Sequence, residues 1–296
     1  MIFEALQRVG AKASKVMMYP EDWALNGDNN TAELLRLAQE DYGVQLSPIK
    51  VQHLVGDATW AESFTKLLAF NQTQFRRVLS LDSDATVLGN MDELFLTPSS
   101  PVAMPRAYWL ENTTFSSQLM LVEPSQFEFD RILDAFNTRT AKDFDMEIMN
   151  DLYGRDCMVF PHRKYDLITG EFREKEHHKY LGSKEAIWDP QKVLDEAKFV
   201  HFSDWPLPKP WLPHSESLER TWRPECHETE DGEDCRDRDV WKGLYVDFAQ
   251  RRKIRKDDER SAVLVMLREV RKMSGHSDLA ELNSDFEDGV DHDESL

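Results

Sequence analysis

The stretch Arg77–Asn90, RVLSLDSDATVLGN, joins an apolar run to two carboxylates and then returns to apolar residues. The run from Val78 to Leu81 indicates a buried β-strand, and Asp82 and Asp84 follow it directly. Because side chains at i and i+2 of an extended chain point the same way, the two carboxylates are expected to converge. A buried carboxylate without a partner is strongly destabilising. The pair therefore predicts a bound cation or an exposed strand end.

The composition is that of an acidic globular protein. The 296 residues carry a formal net charge of −19, and 41 % of them are hydrophobic. This supply of apolar residues allows a sizeable core, whereas the acidic balance argues against binding to nucleic acid. Residues 276–296 contain 8 acidic residues and no Lys or Arg, which predicts a disordered acidic tail. Residues 1–275 are predicted to form one folded domain.

Apolar patterns before the two aspartates predict an α/β fold. The predicted strands are Lys15–Tyr19, Gln45–Leu54 and Val78–Leu81, and the predicted helices between them cover 31–41 and 60–70. Such alternation favours βαβ units and a mainly parallel sheet flanked by helices. Ligands of these sheets bind beside the carboxyl ends of the strands, which is where the two aspartates are placed.

The aspartate pair by itself allows more than one interpretation. Two convergent carboxylates suit a hard divalent cation, which could neutralise a nucleotide diphosphate leaving group. An aspartate after a strand is more often a turn former or a helix cap, so the pair alone is a weak signal. The order Asp82-x-Asp84-x-Thr86-Val87 also matches haloacid-dehalogenase phosphatases, in which the first Asp is a nucleophile beside magnesium. Those enzymes need a later acidic pair after an apolar strand, and Asp257–Asp258 follows a basic run instead.

Four segments in order resemble the glycogenin-like nucleotide-sugar glycosyltransferases, family eight. They are RVLSLDSDATVLGNMDELF at 77–95, FSSQLMLVEPS at 115–125, FDMEIMN at 144–150 and HFSDWPLPKPW at 201–211. Within the family, the sequences of these segments most resemble those of fungal α-N-acetylglucosaminyltransferases. The resemblance implies a GT-A nucleotide-diphospho-sugar transferase fold over 1–275. It also implies a first strand that would precede Met1, so we expect the first βα unit to be incomplete.

The resemblance assigns a role to individual residues. Manganese would be bound by Asp82, Asp84 and His201, because carboxylate oxygens and imidazole nitrogen suit that ion. Lys209 would bind the diphosphate as a mobile positive charge. The other residues expected to bind the UDP-sugar are Ser83, Ser116 and Ser117, and those expected to act in catalysis are Gln118 and Asp145.

The implied activity is a retaining glycosyl transfer from a UDP-sugar to a glycan or glycoprotein acceptor. Ser116 and Gln118 stand where the family has Asn and Gly, and Met146 stands where it has Gln. These differences favour N-acetylglucosamine over glucose as the donor sugar. The spacing from His201 to Lys209 is longer than in glycogenin. An inactive, truncated relative with a vestigial metal site is the second alternative.

Sequons and cysteines favour the Golgi or another part of the secretory lumen. N-x-Thr sequons begin at Asn29, Asn71 and Asn112, and Cys226 and Cys235 could pair across an acidic loop, which would leave Cys157 free. No apolar run of about 18 residues is present, so no membrane span is predicted in this chain. A cytoplasmic location is the alternative, because the chain shows neither an anchor nor a signal peptide.

Overall fold

A computed structural model describes residues 1–252 apart from 24, 28, 51–62, 111–112, 141–142 and 231. Met1–Ala249 form one compact unit. Only the first three residues of the second unit, Gln250–Leu296, are described. The predicted domain end at 275 and the acidic tail at 276–296 lie outside the described residues and stay predictions. Within the described ranges, no helix has the length and apolar character of a membrane span.

Short strands and helices alternate through the compact unit. The strands are β1 (Lys15–Pro20), β2 (Val44–Ile49), β3 (Val78–Leu81), β4 (Ala85–Val87), β5 (Val102–Pro105), β6 (Leu119–Val122), β7 (Met158–Phe160), β8 (Leu167–Ile168), β9 (Phe199–His201), β10 (His227–Thr229) and β11 (Gly232–Asp234). The α-helices are α1 (Ile2–Arg8), α2 (Asn30–Tyr42), α3 (Gln126–Thr138), α4 (Asp145–Tyr153), α5 (His162–Tyr165), α6 (His178–Leu181), α7 (Pro190–Glu196), α8 (Glu216–Trp222) and α9, whose described part covers 236–252. Three 3-10 helices cover Ser63–Asn71, Asp92–Leu96 and Thr169–Arg173. The α/β prediction is confirmed.

The strands pair in both directions, so the predicted mainly parallel sheet was wrong in this respect. One sheet has the order β3-β6-β5-β7 and another has the order β4-β9-β8. β3 and β5 are each antiparallel to β6, and β4 is antiparallel to β9, whereas β5–β7, β8–β9 and β1–β2 are parallel pairs. A parallel pair needs a long crossover connection. The chain between β5 and β6 instead returns as a loop bridged at Arg106 and Phe115, so these neighbours are antiparallel.

The Asp82–Asp84 segment lies where the chain leaves one sheet and enters the other. Leu81 pairs with Leu119 at the end of β3, and the backbone N–H of Asp82 donates to the carbonyl of Gln118 at 3.0 Å. On the other side of the segment, Ala85 pairs with His201. Strand pairing therefore brings 116–118 and His201 to the two aspartates from distant parts of the sequence.

Helices cover the β3-β6-β5-β7 sheet on one face. The 3-10 helix Ser63–Asn71, α3 and α4 pack there on β5 and β6 through a buried apolar cluster that includes Phe64, Leu67, Met104, Met120, Ile132 and Met149. The pattern at 60–70 predicts a helix, and its described part is the 3-10 helix. α4 begins at Asp145, where the backbone N–H of Phe144 donates to Glu147 at 3.0 Å. Negative charge at a helix start is favourable, so this end of α4 suits an aspartate.

Candidate active site

Asp82, Asp84 and His201 form one cluster at the junction of the two sheets. Nε2 of His201 lies 3.2 Å from Asp84 and 4.0 Å from Asp82. One potential ligand atom from each side chain can be chosen so that all three lie within 4.8 Å of one another. The structure thus gathers the three residues that the resemblance assigns to a metal, although His201 is more than a hundred positions later in the chain.

The backbone around His201 is held by a buried threonine. Thr169 donates its hydroxyl to the carbonyl of His201 at 3.3 Å and accepts the backbone N–H of Ser203 at 2.9 Å. Nδ1 of His201 is buried and has no hydrogen-bond partner among the described residues. Strand pairing and packing, rather than a second ring hydrogen bond, therefore orient this imidazole.

Two lysines neutralise the aspartates. Nζ of Lys209 lies 2.8 Å from Asp84 and also donates to the carbonyl of Phe202. Nζ of Lys66 lies 2.6 Å from Asp82 and 3.1 Å from Asp145, so one ammonium group bridges two carboxylates. Lys209 is a predicted site residue. Lys66 is not, because its local sequence SFTKLLAFN shows only an apolar helical face with one basic position.

The two aspartates of the pair have opposite pKa shifts. Burial raises the pKa of Asp82 above its ordinary value, although the charges of Lys66 and His201 oppose the rise. Burial also acts on Asp84, but the hydrogen bond from His201 and the charges of His201 and Lys209 outweigh it and hold the pKa of Asp84 well below its usual range. In Lys66, the two carboxylates outweigh burial and raise the pKa of the ammonium. The surroundings therefore favour the ionised form of Asp84, whereas burial and the neighbouring charges act in opposite directions on Asp82.

The remaining predicted residues come from the segment before β6, from the start of α4 and from the Asp82–Asp84 segment. The hydroxyl of Ser117 donates to Asp145 at 2.6 Å, and both side chains are buried. Ser116 is fully buried, and its hydroxyl accepts the backbone N–H of Gln118 at 3.3 Å. The side-chain oxygen of Gln118 is buried and has no partner in the described part of the chain. Ser83 is exposed between the two aspartates.

Asp166 is a further acid of this region that the sequence does not indicate. Its side chain is 0 % exposed and lies at the end of α5, just before β8. Burial raises the pKa of this carboxyl well above its usual range, the Asp82 charge adds to the rise, and the Lys66 charge opposes it. Neither carboxylate oxygen has a hydrogen-bond partner among the described residues. A single acid before a short apolar pair carries no motif, so its burial follows only from the fold.

Comparison with known proteins identifies the family. No family model matches this chain. A protein from Gibberella zeae named glucose N-acetyltransferase 1 is 51 % identical over 263 residues, which cover 86 % of this chain and 58 % of that protein. The Aspergillus fumigatus protein of the same name is 44 % identical over 276 residues, which cover 86 % of this chain and 72 % of that protein. The chain belongs to the glucose N-acetyltransferase 1 family. It spans little more than half the length of the Gibberella relative.

A solved structure shows the fold of this glucose N-acetyltransferase 1 family member. The galactosyltransferase LgtC, solved with donor and acceptor sugar analogues, has a TM-score of 0.50 and 11 % identity, covering 73 % of this chain and 84 % of LgtC. The GT-A glycosyltransferase fold is thereby confirmed, as is the resemblance to glycosyltransferases. The fold match and the relatives support a glycosyltransferase rather than the haloacid-dehalogenase alternative.

The residues of the cluster fit a divalent metal ion. Ligand atoms of an octahedral ion with bonds of about 2.1 Å lie about 3 to 4 Å apart, close to the spacing of the atoms contributed by Asp82, Asp84 and His201. Carboxylate oxygens and one imidazole nitrogen are the ligand types that manganese accepts. The second group of this kind within the described ranges contains Cys226 and Cys235, which are joined in a disulfide and cannot bind an ion as thiolates.

Proposed function

We propose that this chain is a retaining, metal-dependent glycosyltransferase that moves N-acetylglucosamine from a UDP-sugar to a glycan acceptor. The observation that carries the proposal is the convergence of Asp82, Asp84 and His201 at the sheet junction of a GT-A fold. The name shared by the two fungal relatives mentions both glucose and an N-acetyl group, which supports a reaction that involves an N-acetylated sugar.

The charges of the cluster favour a cation together with a diphosphate. Among the described residues, the lysines that form ion pairs with Asp82, Asp84 and Asp145 are Lys66 and Lys209. Three ionised carboxylates would therefore outnumber the two ammonium groups when His201 is neutral. A diphosphate would add further negative charge to this partly buried site, and the repulsion would be large in a low dielectric. A divalent cation removes that repulsion.

In the proposed reaction, Asp82, Asp84 and His201 would hold manganese, and the ion would supply positive charge to stabilise the departing UDP. Lys209 would bind the diphosphate, and its contacts with Asp84 and the Phe202 carbonyl hold the ammonium group beside the site. Preorganised charges of this kind stabilise the transition state because they need no rearrangement as the bond breaks.

The donor sugar is proposed to lie against Ser116, Ser117 and Asp145. Asp145 is fixed by Ser117 and Lys66, so its carboxylate is oriented for hydrogen bonds to sugar hydroxyls. The acceptor hydroxyl attacks from the side of the departing phosphate and passes its proton to a leaving-group oxygen. This route retains the anomeric configuration and requires no strong protein base.

A second candidate follows from the literal name of the relatives, which describes transfer of an acetyl group to glucose. The GT-A fold and the carboxylate cluster favour sugar transfer. The mass of the product separates the two, because the acceptor gains a whole N-acetylhexosamine residue in one case and only an acetyl group in the other.

The decisive experiment measures donor hydrolysis and transfer by purified protein with a panel of UDP-sugars and MnCl₂. The variant Asp84→Asn should lose both activities, whereas Asp130→Asn, which changes an exposed acid on α3, should keep them. Equal turnover by Asp84→Asn and the unchanged protein would refute the metal assignment. Thermal stabilisation that requires UDP and manganese together supports an active site; no response from a folded protein supports the vestigial alternative.

We also place the chain in the secretory lumen, with the Golgi as the expected compartment. The disulfide between Cys226 and Cys235 supports an oxidising environment, and Cys157 is a free thiol. Asn71 is exposed at the end of its 3-10 helix, so its sequon is accessible. A glycan at Asn71 that endoglycosidase removes would support this placement, and an unmodified Asn71 in protein from the native host would count against it.

A further inference from the structure

The loop from Phe202 to Lys209 is closed at its base beside the candidate active site. Lys209 donates to the carbonyl of Phe202, and the same ammonium group lies 2.8 Å from Asp84. Phe202 follows the metal-site residue His201 directly. Both ends of the loop are therefore fixed beside the cluster.

The middle of the loop is a turn with two buried ends. The backbone N–H of Leu207 donates to the carbonyl of Asp204 at 2.7 Å, and these two residues are 4 % and 2 % exposed. The carboxylate of Asp204 lies 2.9 Å from Nε of Arg173 and accepts the hydroxyl of Tyr245 at 2.8 Å. Arg173 and Tyr245 come from the third 3-10 helix and from α9, so the turn is tied to two separate elements.

The corner of this anchored turn presents an indole to water. Trp205 is 80 % exposed, the highest value among the described tryptophans, whereas Trp241 is fully buried. An exposed tryptophan on a mobile tail would be unremarkable, because single apolar residues are common on surfaces. Here the indole is exposed to solvent, although Asp204 and Leu207 on either side of it are buried and held in place.

We propose that Trp205 is a stacking platform for a sugar ring of the acceptor glycan, a proposal that rests on the proposed function above. A pyranose ring has one face of C–H groups, and the electron-rich face of an indole attracts them. Tryptophan offers this large flat surface with only two rotatable side-chain bonds, so little entropy is lost on binding. A neutral glycan also suits a chain whose net charge is −19.

The position of Trp205 assigns it to the acceptor rather than to the donor. It lies four residues from both His201 and Lys209, and four residues of chain span at most about 14 Å. The residues proposed for the donor sugar, Ser116 and Asp145, are buried on the β6 and α4 side of the cluster. The exposed indole is therefore placed within reach of the bond being formed but outside the buried donor pocket.

The test compares Trp205→Ala with Trp205→Phe and with Phe127→Ala, which removes a 69 % exposed aromatic ring at the start of α3. Three quantities are measured with MnCl₂: hydrolysis of UDP-N-acetylglucosamine alone, KM for that donor, and KM for acceptors in a panel of short neutral oligosaccharides. Trp205→Ala should raise the acceptor KM about tenfold, as loss of one stacking contact does elsewhere. Donor hydrolysis and donor KM should not change. Trp205→Phe should recover most of the affinity, and Phe127→Ala should behave like the unchanged protein.

An unchanged acceptor KM in Trp205→Ala would overturn the proposal. A raised donor KM would also overturn it, because the indole would then bind the nucleotide base. Failure of the unchanged protein to hydrolyse or transfer any sugar would refute the proposed function instead. In that case, saturation-transfer NMR with the same oligosaccharides still tests whether Trp205 binds a sugar ring. The proposal is contradicted if the unchanged protein binds none of them, or if Trp205→Ala binds them as well as the unchanged protein does.

Discussion

The ammonium nitrogen of Lys66 lies 2.6 Å from Oδ1 of Asp82, so a helical lysine already neutralises one of the two predicted metal ligands. The same group lies 3.1 Å from Asp145. Lys66 thus joins the side of the site that would hold the metal to the side that would hold the donor sugar. Its charge also lowers the pKa of Asp82 and so opposes the rise that burial causes.

Replacing Lys66 with Met should make manganese binding more dependent on pH. Burial already raises the pKa of Asp82, and loss of the opposing ammonium charge will raise it further. Because the protonated acid does not bind metal, Lys66→Met should bind Mn²⁺ far more weakly at about pH 6 than at about pH 8. Titration calorimetry at both pH values checks this, with Lys66→Arg as the charge-preserving control. An equal pH dependence in Lys66→Met and the unchanged protein would contradict it.

Asn150 on α4 should be essential for the position of the Ser116–Gln118 segment. Its amide accepts the backbone N–H of Phe115 at 2.7 Å and donates to the carbonyl of Phe115 at 2.8 Å. Asn150→Ala leaves both buried groups unpaired, at a cost of about 1–3 kcal/mol for each. Urea denaturation should show this loss, and transfer should fall with it. Asn137→Ala, at the exposed end of α3, is the control; a similar loss there would contradict the argument.

The D-x-D segment was predictable because its signals are local. An apolar run marks β3, and the two acids directly after it mark its end, whereas their assignment to a metal came from the family resemblance. The distant partner His201 came from the family resemblance and not from spacing. The fold brings it in through the pairing of Ala85 with His201, a long-range register that no local pattern specifies.

Neither the contact of Lys66 with Asp82 nor the strand directions could be predicted from the sequence, and the reasons are related. The apolar spacing at 60–70 indicates which face packs on the sheet, but not that the one lysine reaches Asp82. The alternation of elements favours parallel strands, yet β6 inserts between β3 and β5 and is antiparallel to both. The route of each connection decides strand direction, and loop sequences specify that route poorly.

Replacing the buried Asp166 with Asn should stabilise the protein at neutral pH. Burial raises the pKa of Asp166 well above its usual range, so the folded state binds a proton that the unfolded state releases. The contribution of Asp166 to the free energy of unfolding is therefore fully present below its pKa in the unfolded state, about 4. It is lost as the pH rises towards its pKa in the folded state. Asp166→Asn removes that loss, and its melting temperature should exceed that of the unchanged protein at about pH 8 but not at about pH 4. Thermal melts at both pH values decide it; an equal difference at the two would show that packing, not ionisation, is responsible.

Removing the disulfide should affect stability locally and leave the candidate site intact. Cys226 and Cys235 close the exposed hairpin of β10 and β11, and they are nine positions apart in the sequence. Chain entropy alone gives about 3 kcal/mol for a loop of this size. The effect on the global melting temperature should be smaller, because an exposed hairpin can open while α9 stays packed through Trp241 and Phe248. Thermal melts and limited proteolysis of the Cys226→Ser, Cys235→Ser double variant test this: faster cleavage in the hairpin is expected, with unchanged stabilisation by UDP and manganese. Loss of that ligand response would mean that the hairpin supports the site.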